Sequence, residues 1–381
     1  MTDLSESRAK IDEIDRQIVS LFEERMKISD DVAAYKRVTG KPVYDPEREE
    51  SKLTVLRGLV KEPFNKKAVN ELFTQIMSIS RKYQYNKLPS PLQSENISFV
   101  DSFSKDGRKL SVAFFGAHGT YTERAMMDFF GNDVDSVSKP TFNDVCESVA
   151  NGETDFGVLP IENSTSGSLS DIYDLFLKYD NKIVGEQVEK IDHALLGLPG
   201  ATIDDITDIY THAQPLLQCS EFLAKYPSWQ NHAYGSTADS AKKILSDGDR
   251  SHAAIASERL AEELGLTVLA RDIANDPTNQ TRFIVLSKKR EFLADSDKIS
   301  LVFEIPNKSG SLYGLLSNFM YNDINMSDIE SRPIKGEPFH YRFFVDLEGS
   351  LSDPGVINAL TGIKAESDSM TLLGVYKKFA G

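Results

Sequence analysis

The sequence has 381 residues, of which 40% are hydrophobic and 27% charged, and its formal net charge is −15. This length allows two or three domains, and the negative charge disfavours nucleic acid and anionic membranes as partners. No apolar stretch is long enough to predict a membrane span, and the N-terminus lacks the features of a signal peptide. The two cysteines, Cys146 and Cys219, are far apart, which favours a reducing cytoplasm over a disulfide framework.

The first 88 residues are predicted to form three helices, because apolar residues recur there at three- and four-residue spacing. Gly40 and Pro42 interrupt the first helix, and Asp45 is placed to cap the second. The third helix is predicted over about 66–86. Three helices of this kind leave much apolar surface in water, so we expect the chain to form a dimer.

Beyond a linker at 89–109, which is rich in proline and serine, two further domains are predicted. Over 110–289, short apolar strands alternate with helices, which indicates an α/β fold with a largely parallel sheet. The segment 297–378 has the order βαββαβ, which is typical of a ferredoxin-like α+β fold. The predicted strands of the α/β segment include 111–115, 156–159, 209–211, 253–256 and 283–286.

Polar residues form a specific pattern on the predicted helices. Arg25 and Lys36 lie about three turns apart on one face of the first helix, and Ser80 and Gln84 share a face of the third. Solvated surface charge would explain such residues singly. The segment, however, resembles the all-helical chorismate mutases over nearly its whole length. The matching residues are Arg8, Arg25, Lys36, Asp45, Arg48, Glu49, Ser80 and Gln84.

This resemblance implies that the helical segment rearranges chorismate to prephenate. Such a site must hold the reactive conformer and stabilise charge on the ether oxygen, without covalent catalysis. The resemblance assigns catalysis to Lys36 and Gln84, as donors to the ether oxygen, and makes Glu49 the acceptor of the ring hydroxyl. It assigns chorismate binding to Arg8 of a dimer partner and to Arg25, Asp45, Arg48, Glu49 and Ser80.

In the α/β segment, small or hydroxylated residues stand at four predicted strand-to-helix junctions: 116–120, 162–168, 211–215 and 235–237. Helix N-termini bind anions, so several of them facing one cleft would suit a small dianion, although ordinary capping explains each one singly. Nucleotide-binding glycine motifs and a GxSxG nucleophile elbow are absent from the sequence. The six histidines are scattered, and we expect neither a metal nor a cofactor.

The α/β segment resembles the prephenate dehydratases over about 112–287, most clearly in the triplet Thr281-Arg282-Phe283. The resemblance implies a two-lobed fold like that of a periplasmic binding protein, with prephenate in the cleft. There prephenate would lose carbon dioxide and a hydroxyl, with Thr281 as the catalytic residue. Prephenate binding is assigned to Glu162, Asn163, Ser166, Gly167, Gln218, Ser236, Thr237, Arg282 and Phe283.

The last segment resembles the ACT regulatory domains of phenylalanine-sensitive dehydratases. Residues 330–333 match their ESRP motif in full, and 310–313 (GSLY) stand in place of their GALV motif with two changes. A dimerisation module without a ligand is the alternative. The resemblance assigns phenylalanine binding to Gly310, Ser311, Leu312, Glu330, Ser331 and Arg332.

The sequence thus predicts a cytoplasmic, multidomain, bifunctional enzyme of phenylalanine biosynthesis that forms at least a homodimer. Its expected small-molecule partners are chorismate, prephenate and phenylalanine as effector, and neither nucleic acid nor a membrane is expected as a partner. Two alternatives remain open at this point. One is a dehydratase whose helical domain serves only dimerisation, and the other is a non-catalytic sensor of aromatic ligands.

Overall fold

The computed structural model describes residues 3–93, 95–104 and 107–380, which pack into two compact units. The first unit joins the chain up to Ile97 with Ile299–Leu372, and the second contains Ser98–Lys298 and the residues from Leu373 onwards. The N-terminal helices therefore share a unit with most of the C-terminal segment. No helix within the described residues has the length and apolar composition needed to cross a membrane.

The N-terminal segment forms three helices. Gly40 ends the first in the left-handed conformation, with a φ of 69°, and the Asp45 carboxylate caps the second by accepting the backbone N–H of Arg48. The third helix begins at Pro63 rather than near residue 66, because proline suits the first helical position. The bounds are α1 (Leu4–Thr39), α2 (Pro46–Leu59) and α3 (Pro63–Tyr85).

The second unit alternates strands and helices along most of its length. Its strands are β1 (Ser98–Val100), β2 (Leu110–Phe115), β3 (Val134–Lys139), β4 (Phe156–Asn163), β5 (Gly167–Ser168), β6 (Lys182–Lys190), β7 (Ala194–Gly197), β8 (Asp208–Thr211), β9 (Gln230–Ala233), β10 (His252–Ala256), β11 (Thr267–Ala270), β12 (Gln280–Ser287) and β13 (Glu291–Leu293). Its helices are α4 (Tyr121–Phe130), α5 (Phe142–Asn151), α6 (Asp171–Lys178), α7 (Ala213–Gln218), α8 (Ser220–Leu223), α9 (Thr237–Asp247) and α10 (Glu258–Leu264).

These elements build two lobes, each around its own sheet. In the first lobe the strand order is β6-β12-β4-β2-β3, and in the second it is β11-β7-β10-β8-β9. The chain passes to the second lobe after β6 and returns through β12, so the two crossings border the space between the lobes. Both sheets are mixed rather than largely parallel, because β12 runs antiparallel to β4 and β6, and β7 antiparallel to β10 and β11.

The C-terminal segment follows the order strand, helix, two strands, helix, strand. β15 and β16 pair antiparallel, and the strand order is β15-β16-β14-β17. β15 is therefore an edge strand. The bounds are β14 (Lys298–Glu304), α11 (Ser311–Tyr321), β15 (Met326–Pro333), β16 (Tyr341–Glu348), α12 (Pro354–Glu366) and β17 (Ser369–Tyr376).

Within the first unit, the C-terminal half of α3 packs against α11 and α12. Tyr85 is only 1% exposed, and Lys82 only 2%. The Lys82 ammonium donates to the Ser317 hydroxyl at 2.8 Å and lies 5.4 Å from the centre of the Tyr321 ring. Burial lowers the pKa of Lys82 to about 8, although the negative charge of Glu366 opposes this shift. A charged group is therefore part of this helix packing.

The lowered pKa of Lys82 predicts a pH-dependent stability. Below about pH 8 the lysine is charged in both the folded and the unfolded chain, so the full cost of burying its charge is present. As pH rises through the folded-state pKa, the folded chain loses this proton first and that cost declines. Between pH 7 and pH 9, wild type should therefore gain about 1 kcal/mol of unfolding free energy relative to Lys82→Met.

Thermal unfolding of both proteins at the two pH values measures this difference. Lys67→Met, at an exposed lysine on the same helix, is the matched control and should show no such change relative to wild type. A stability difference between wild type and Lys82→Met that is the same at pH 7 and pH 9 would contradict the prediction.

Candidate active sites

A cavity of about 490 Å³ lies among the three N-terminal helices, and we call it the helical cavity. Most of the residues that the family resemblance assigns to chorismate line it. Arg8 does not, because it stands 17 positions before Arg25 on the same helix, about 25 Å along its axis. The predicted residues in the lining are Arg25, Lys36, Asp45, Arg48, Glu49, Ser80 and Gln84.

Two cations from α1 are held in this cavity by neighbouring groups. Arg25 donates to the hydroxyl of Ser80 and, at 3.5 Å, to the backbone carbonyl of Ile76. Lys36 donates to the backbone carbonyl of Val43 at 2.8 Å. Partial burial lowers the pKa of both side chains, with nearby carboxylates opposing the shift. Both pKa values start far above neutrality, so the cavity presents fixed positive charge to an anionic ligand.

The Glu49 carboxylate, which lines the cavity, is bound by an arginine of α3. Both of its oxygens lie 2.6 Å from Nη1 of Arg81, which also lines the cavity. Arg81 is not among the residues predicted from the sequence. Its position, four residues after Met77 and three before Gln84, places it on the face of α3 that these lining residues share, so helical spacing could have identified it.

Gln84 presents an unsatisfied amide to the same cavity. Its Nε2 donates one hydrogen to the carbonyl of Ser80 at 3.1 Å, and its Oε1 is buried without a hydrogen-bond partner among the described residues. An amide nitrogen carries two hydrogens, so one donor remains for a ligand. A buried polar group of this kind gains when a ligand supplies the missing partner.

A larger cavity, of about 790 Å³, lies between the two lobes of the second unit, and we call it the cleft cavity. The four strand-to-helix junctions of the sequence analysis all contribute to its lining, and each ends near a different helix N-terminus. The predicted residues in the lining are Asn163, Ser166, Gln218, Ser236, Thr237, Thr281 and Phe283.

Thr281 is held by Asn163, its partner across β12 and β4. Asn163 Nδ2 donates to Thr281 Oγ1 at 2.9 Å, while Asn163 Oδ1 accepts the backbone N–H and the hydroxyl of Ser166. Because the Thr281 oxygen already accepts a hydrogen bond, its own hydrogen is free to donate into the cavity. Asn163 thus orients the hydroxyl as a donor.

Glu162, Gly167 and Arg282, which were predicted to bind prephenate, do not belong to this lining. Arg282 forms an ion pair with Glu162 at 3.1 Å and a longer one with Glu186 at 3.5 Å. Successive side chains of a strand point to opposite faces of the sheet. Thr281 and Asn163 face the cavity, so their neighbours Arg282 and Glu162 face away from it. The resemblance selected these residues by their place in a motif, and the structure places them outside the cavity lining.

The cleft cavity contains a histidine that the sequence analysis did not select. His193 lines the cavity, is 2% exposed, and donates from Nε2 to Gln218 Oε1 at 2.9 Å. Burial lowers its pKa, which the hydrogen bond to Gln218 opposes, and the ring is neutral at physiological pH. No lysine or arginine is among the described residues of the lining. The lining offers amide, hydroxyl and backbone groups and the rings of His193 and His212, and it includes the carboxylate of Asp239.

A third cavity, of about 310 Å³, lies in the C-terminal segment, and we call it the C-terminal cavity. Gly310 and Leu312 line it, together with aromatic residues that include Phe339 and Tyr341. Gly310 has a φ of 84°, which disfavours any residue with a side chain. The other residues predicted to bind phenylalanine lie outside this lining: Ser311, Glu330, Ser331 and Arg332.

Comparison with known proteins identifies both halves of the chain. The chorismate mutase type II family model matches residues 7–85, and the prephenate dehydratase model matches residues 112–291. A bifunctional chorismate mutase/prephenate dehydratase from Pseudomonas aeruginosa is 35% identical over 377 residues, which cover 97% of this chain and 96% of that protein.

Two solved structures resemble a large part of the chain. Prephenate dehydratase from Arthrobacter aurescens, in complex with L-Phe, is 33% identical with a TM-score of 0.65, and the match covers 71% of this chain and 90% of that one. GqqA, described as a quorum quenching acylase, is 28% identical with a TM-score of 0.65, over 70% of this chain and 97% of that one.

The two family models divide the chain between them, and the full-length relative joins the same two activities in one polypeptide. The chain therefore belongs to the bifunctional chorismate mutase/prephenate dehydratases, enzymes of phenylalanine biosynthesis that convert chorismate to prephenate and prephenate to phenylpyruvate.

Proposed function

We propose that the helical cavity is the chorismate mutase site and that the cleft cavity is the prephenate dehydratase site. The observation that supports this most is the gathering, in each cavity, of seven residues predicted for one reaction. The proposed domains are 1–88 for the mutase, 110–289 for the dehydratase and 297–378 for an ACT regulatory domain, with a linker at 89–109. Two variants described below, one in each cavity, test this assignment.

In the helical cavity, positive charge and preorganised donors would hold chorismate in its folded, reactive conformer. Arg25 and Arg48 bind its carboxylates, with Ser80 and Asp45 supporting the site, and Arg8 of a second copy completes it. Lys36 and Gln84 donate to the ether oxygen, on which negative charge develops as the carbon–oxygen bond breaks and the new carbon–carbon bond forms. Glu49 accepts a hydrogen bond from the ring hydroxyl. No covalent intermediate is needed.

The proposed role of Gln84 predicts the effect of replacing it with an acid. In Gln84→Glu, the introduced carboxyl can donate to the ether oxygen only when protonated. Mutase kcat/KM should therefore fall by about 100-fold or more at pH 7.5 and recover by about tenfold for each unit by which the pH is lowered towards 5.

Initial rates of prephenate formation from chorismate across this pH range measure the effect. Dehydratase activity on added prephenate, measured in the same preparations, is the control and should follow the wild-type pH profile. A flat mutase profile in the variant would remove Gln84 from the proposed mechanism.

In the cleft cavity, prephenate must lose both a carboxylate and a hydroxyl. The carbon–carbon bond to the ring carboxylate breaks and releases carbon dioxide, and its electron pair enters the ring as the carbon–oxygen bond to the hydroxyl breaks. We infer that Thr281, oriented by Asn163, donates a hydrogen bond to the departing oxygen, which leaves as hydroxide and takes a proton from solvent to form water. Ser166, Gln218, Ser236 and Thr237 are proposed to bind the substrate, and Phe283 packs beside its ring.

The absence of lysine and arginine from the described cavity lining supports the decarboxylation. A carboxylate without a cationic partner is stabilised less in such a cavity than in water or beside an arginine, whereas neutral carbon dioxide loses little. The ring carboxylate is thereby destabilised relative to the product. Glu162, Gly167 and Arg282 are proposed to support this site from outside the lining.

The role of Thr281 predicts a selective loss of one activity. Thr281→Val removes the hydroxyl and keeps the shape of the side chain, so phenylpyruvate formation from prephenate should fall by about 100- to 1,000-fold. Mutase activity should stay at the wild-type level, because the helical cavity is unchanged.

Thr278→Val is the matched control. Its hydroxyl donates to Asp276 in the exposed loop before β12, outside the cavity lining, so both activities should remain. Wild-type dehydratase activity in Thr281→Val would show that another group assists the departing hydroxyl.

We further propose that the C-terminal segment is an ACT domain of ferredoxin-like fold that binds phenylalanine and inhibits the enzyme. The strand order β15-β16-β14-β17 and the βαββαβ sequence support the fold, and the L-Phe complex of the Arthrobacter relative supports the effector. Glu330, Ser331 and Arg332 lie on the edge strand β15, where a second copy of the chain could bring them to the C-terminal cavity of its partner.

A homodimer also accounts for the exposed apolar residues of α1. Ile11, Ile14, Ile18 and Leu21 are each more than half exposed in the single chain. A second copy that covered them would also bring Arg8 to its partner's helical cavity. We propose the cytoplasm as the place of action, since both cysteines are free thiols.

Phenylalanine sensing predicts a selective effect of Gly310→Ala. A side chain at this positive φ strains the backbone that borders the C-terminal cavity, so half-inhibition of phenylpyruvate formation should need at least about tenfold more phenylalanine. The rate without phenylalanine should be unchanged, because neither active-site cavity includes this residue.

Gly336→Ala is the matched control. Gly336 has a similar φ of 88°, lies in the turn between β15 and β16, and is not part of the cavity lining. Equal sensitivity to phenylalanine in wild type and both variants would place the effector site elsewhere.

A further inference from the structure

Arg81 connects the helical cavity to the C-terminal segment. Nη1 donates to both oxygens of Glu49 at 2.6 Å, and Nε donates to Glu366 Oε1 at 2.9 Å. Nη2 lies 3.4 Å from the second Glu366 oxygen, and the guanidinium lies 4.8 Å from the centre of the Tyr44 ring. One cation thus joins carboxylates that are 317 positions apart in the sequence, at 49 and 366.

These contacts leave Arg81 little capacity to bind substrate directly. Each of its three nitrogens already donates to a carboxylate, and its side chain is only 9% exposed. Burial lowers the pKa of Arg81, but the charges and hydrogen bonds of Glu366 and Glu49 outweigh this effect and raise it, so the guanidinium stays charged. Although Arg81 borders the cavity, its geometry is that of a residue that holds Glu49 in place.

Glu366 lies at a position where a negative charge is disfavoured. It is the last residue of α12, where the negative end of the helix dipole lies, and its side chain is only 8% exposed. Two groups on α3 stabilise this carboxylate: Arg81 supplies a cation, and the Tyr85 hydroxyl donates to Oε1 at 3.0 Å. The C-terminal segment therefore contributes a buried carboxylate whose described partners lie on the helix that also bears Ser80 and Gln84.

We propose that Arg81 is a positioning residue of the mutase site and that Glu366, in the C-terminal segment, fixes Arg81 for this task. With Nη1 bound to both oxygens, the Glu49 carboxylate has a single orientation and keeps lone pairs free to accept the ring hydroxyl of chorismate. Without Glu366, the guanidinium could turn and take the carboxylate with it. This inference rests on the proposed role of Glu49, and it makes mutase efficiency depend on a side chain outside the mutase segment.

Steady-state kinetics of full-length Glu366→Gln, Arg81→Lys and Glu49→Gln test the proposal, with chorismate as the mutase substrate. Dehydratase activity on added prephenate reports, in each preparation, whether the protein is folded. Glu50→Gln is the matched control, because Glu50 is also on α2 and pairs with an arginine, Arg57, but is exposed and outside the cavity lining.

Mutase kcat/KM should fall by about 100-fold in Arg81→Lys, because a single ammonium cannot hold both carboxylates in place. In Glu366→Gln it should fall by about 2- to 30-fold. Glu50→Gln should match wild type, and dehydratase rates should be unchanged throughout. Because Glu366 acts only through Glu49, the double variant Glu49→Gln/Glu366→Gln should be no slower than Glu49→Gln alone.

Each contrary result has a distinct meaning. Wild-type mutase efficiency in Arg81→Lys and Glu366→Gln, with a loss in Glu49→Gln, would overturn this inference and leave the proposed role of Glu49 intact. An unchanged Glu49→Gln would overturn that role and the inference with it. Additive losses in the double variant, or a parallel loss of dehydratase activity, would show a general structural effect instead of positioning.

Discussion

Removing a dianionic substrate from water is the constraint on which both proposed sites depend. Each carboxylate that leaves water must find donors or cations in the protein, or its burial becomes very costly. The helical cavity supplies cations, among them Arg25, Lys36 and Arg48. The described lining of the cleft cavity contains neither lysine nor arginine. This contrast supports the proposed assignment of one reaction to each cavity, since the rearrangement retains both carboxylates and the dehydration expels one of them as carbon dioxide.

Helix geometry places the lining residues of the helical cavity, whereas strand geometry places several of those in the cleft cavity. On α3, residues three and four positions apart share a face, which brings Met77, Ser80, Arg81 and Gln84 to one cavity. On β12, which pairs with β4, alternate residues share a face, so Thr281 and Phe283 line the cleft and Arg282 between them does not. The register between the strands then sets Asn163 opposite Thr281, at hydrogen-bonding distance.

Much of the fold could be predicted from local signals. Helix breaks at Gly40 and a cap at Asp45 appear in the structure, as do the strands expected over 111–115, 156–159, 209–211, 253–256 and 283–286. The direction of β12 could not be predicted, because it depends on the chain's return from the second lobe. Likewise, no local pattern indicates that Arg81 contacts Glu366, because the two residues are far apart in the sequence.

Within the sites, the resemblance to known families selected residues by their position in a motif, and the structure separates these by the face on which they lie. Thr281 and Phe283 line the cleft, whereas Arg282 between them pairs with Glu162 and Glu186. His193 and Arg81 were not selected, since neither belongs to the motifs that were compared. Helical spacing along α3 is enough to place Arg81 at the helical cavity, whereas His193 reaches the cleft only through the fold.

The burial of α3 against α11 and α12 bears on how such an enzyme can be divided during evolution or engineering. A polypeptide cut between α3 and β1 would retain every lining residue of the helical cavity, yet it would place Lys82 and Tyr85 in water and leave Arg81 without Glu366. The separated piece would need new surface residues at these positions before it behaved as an independent protein. The presence of both segments in one chain is thus reflected in the buried residues of one helix, as well as in the order of the segments.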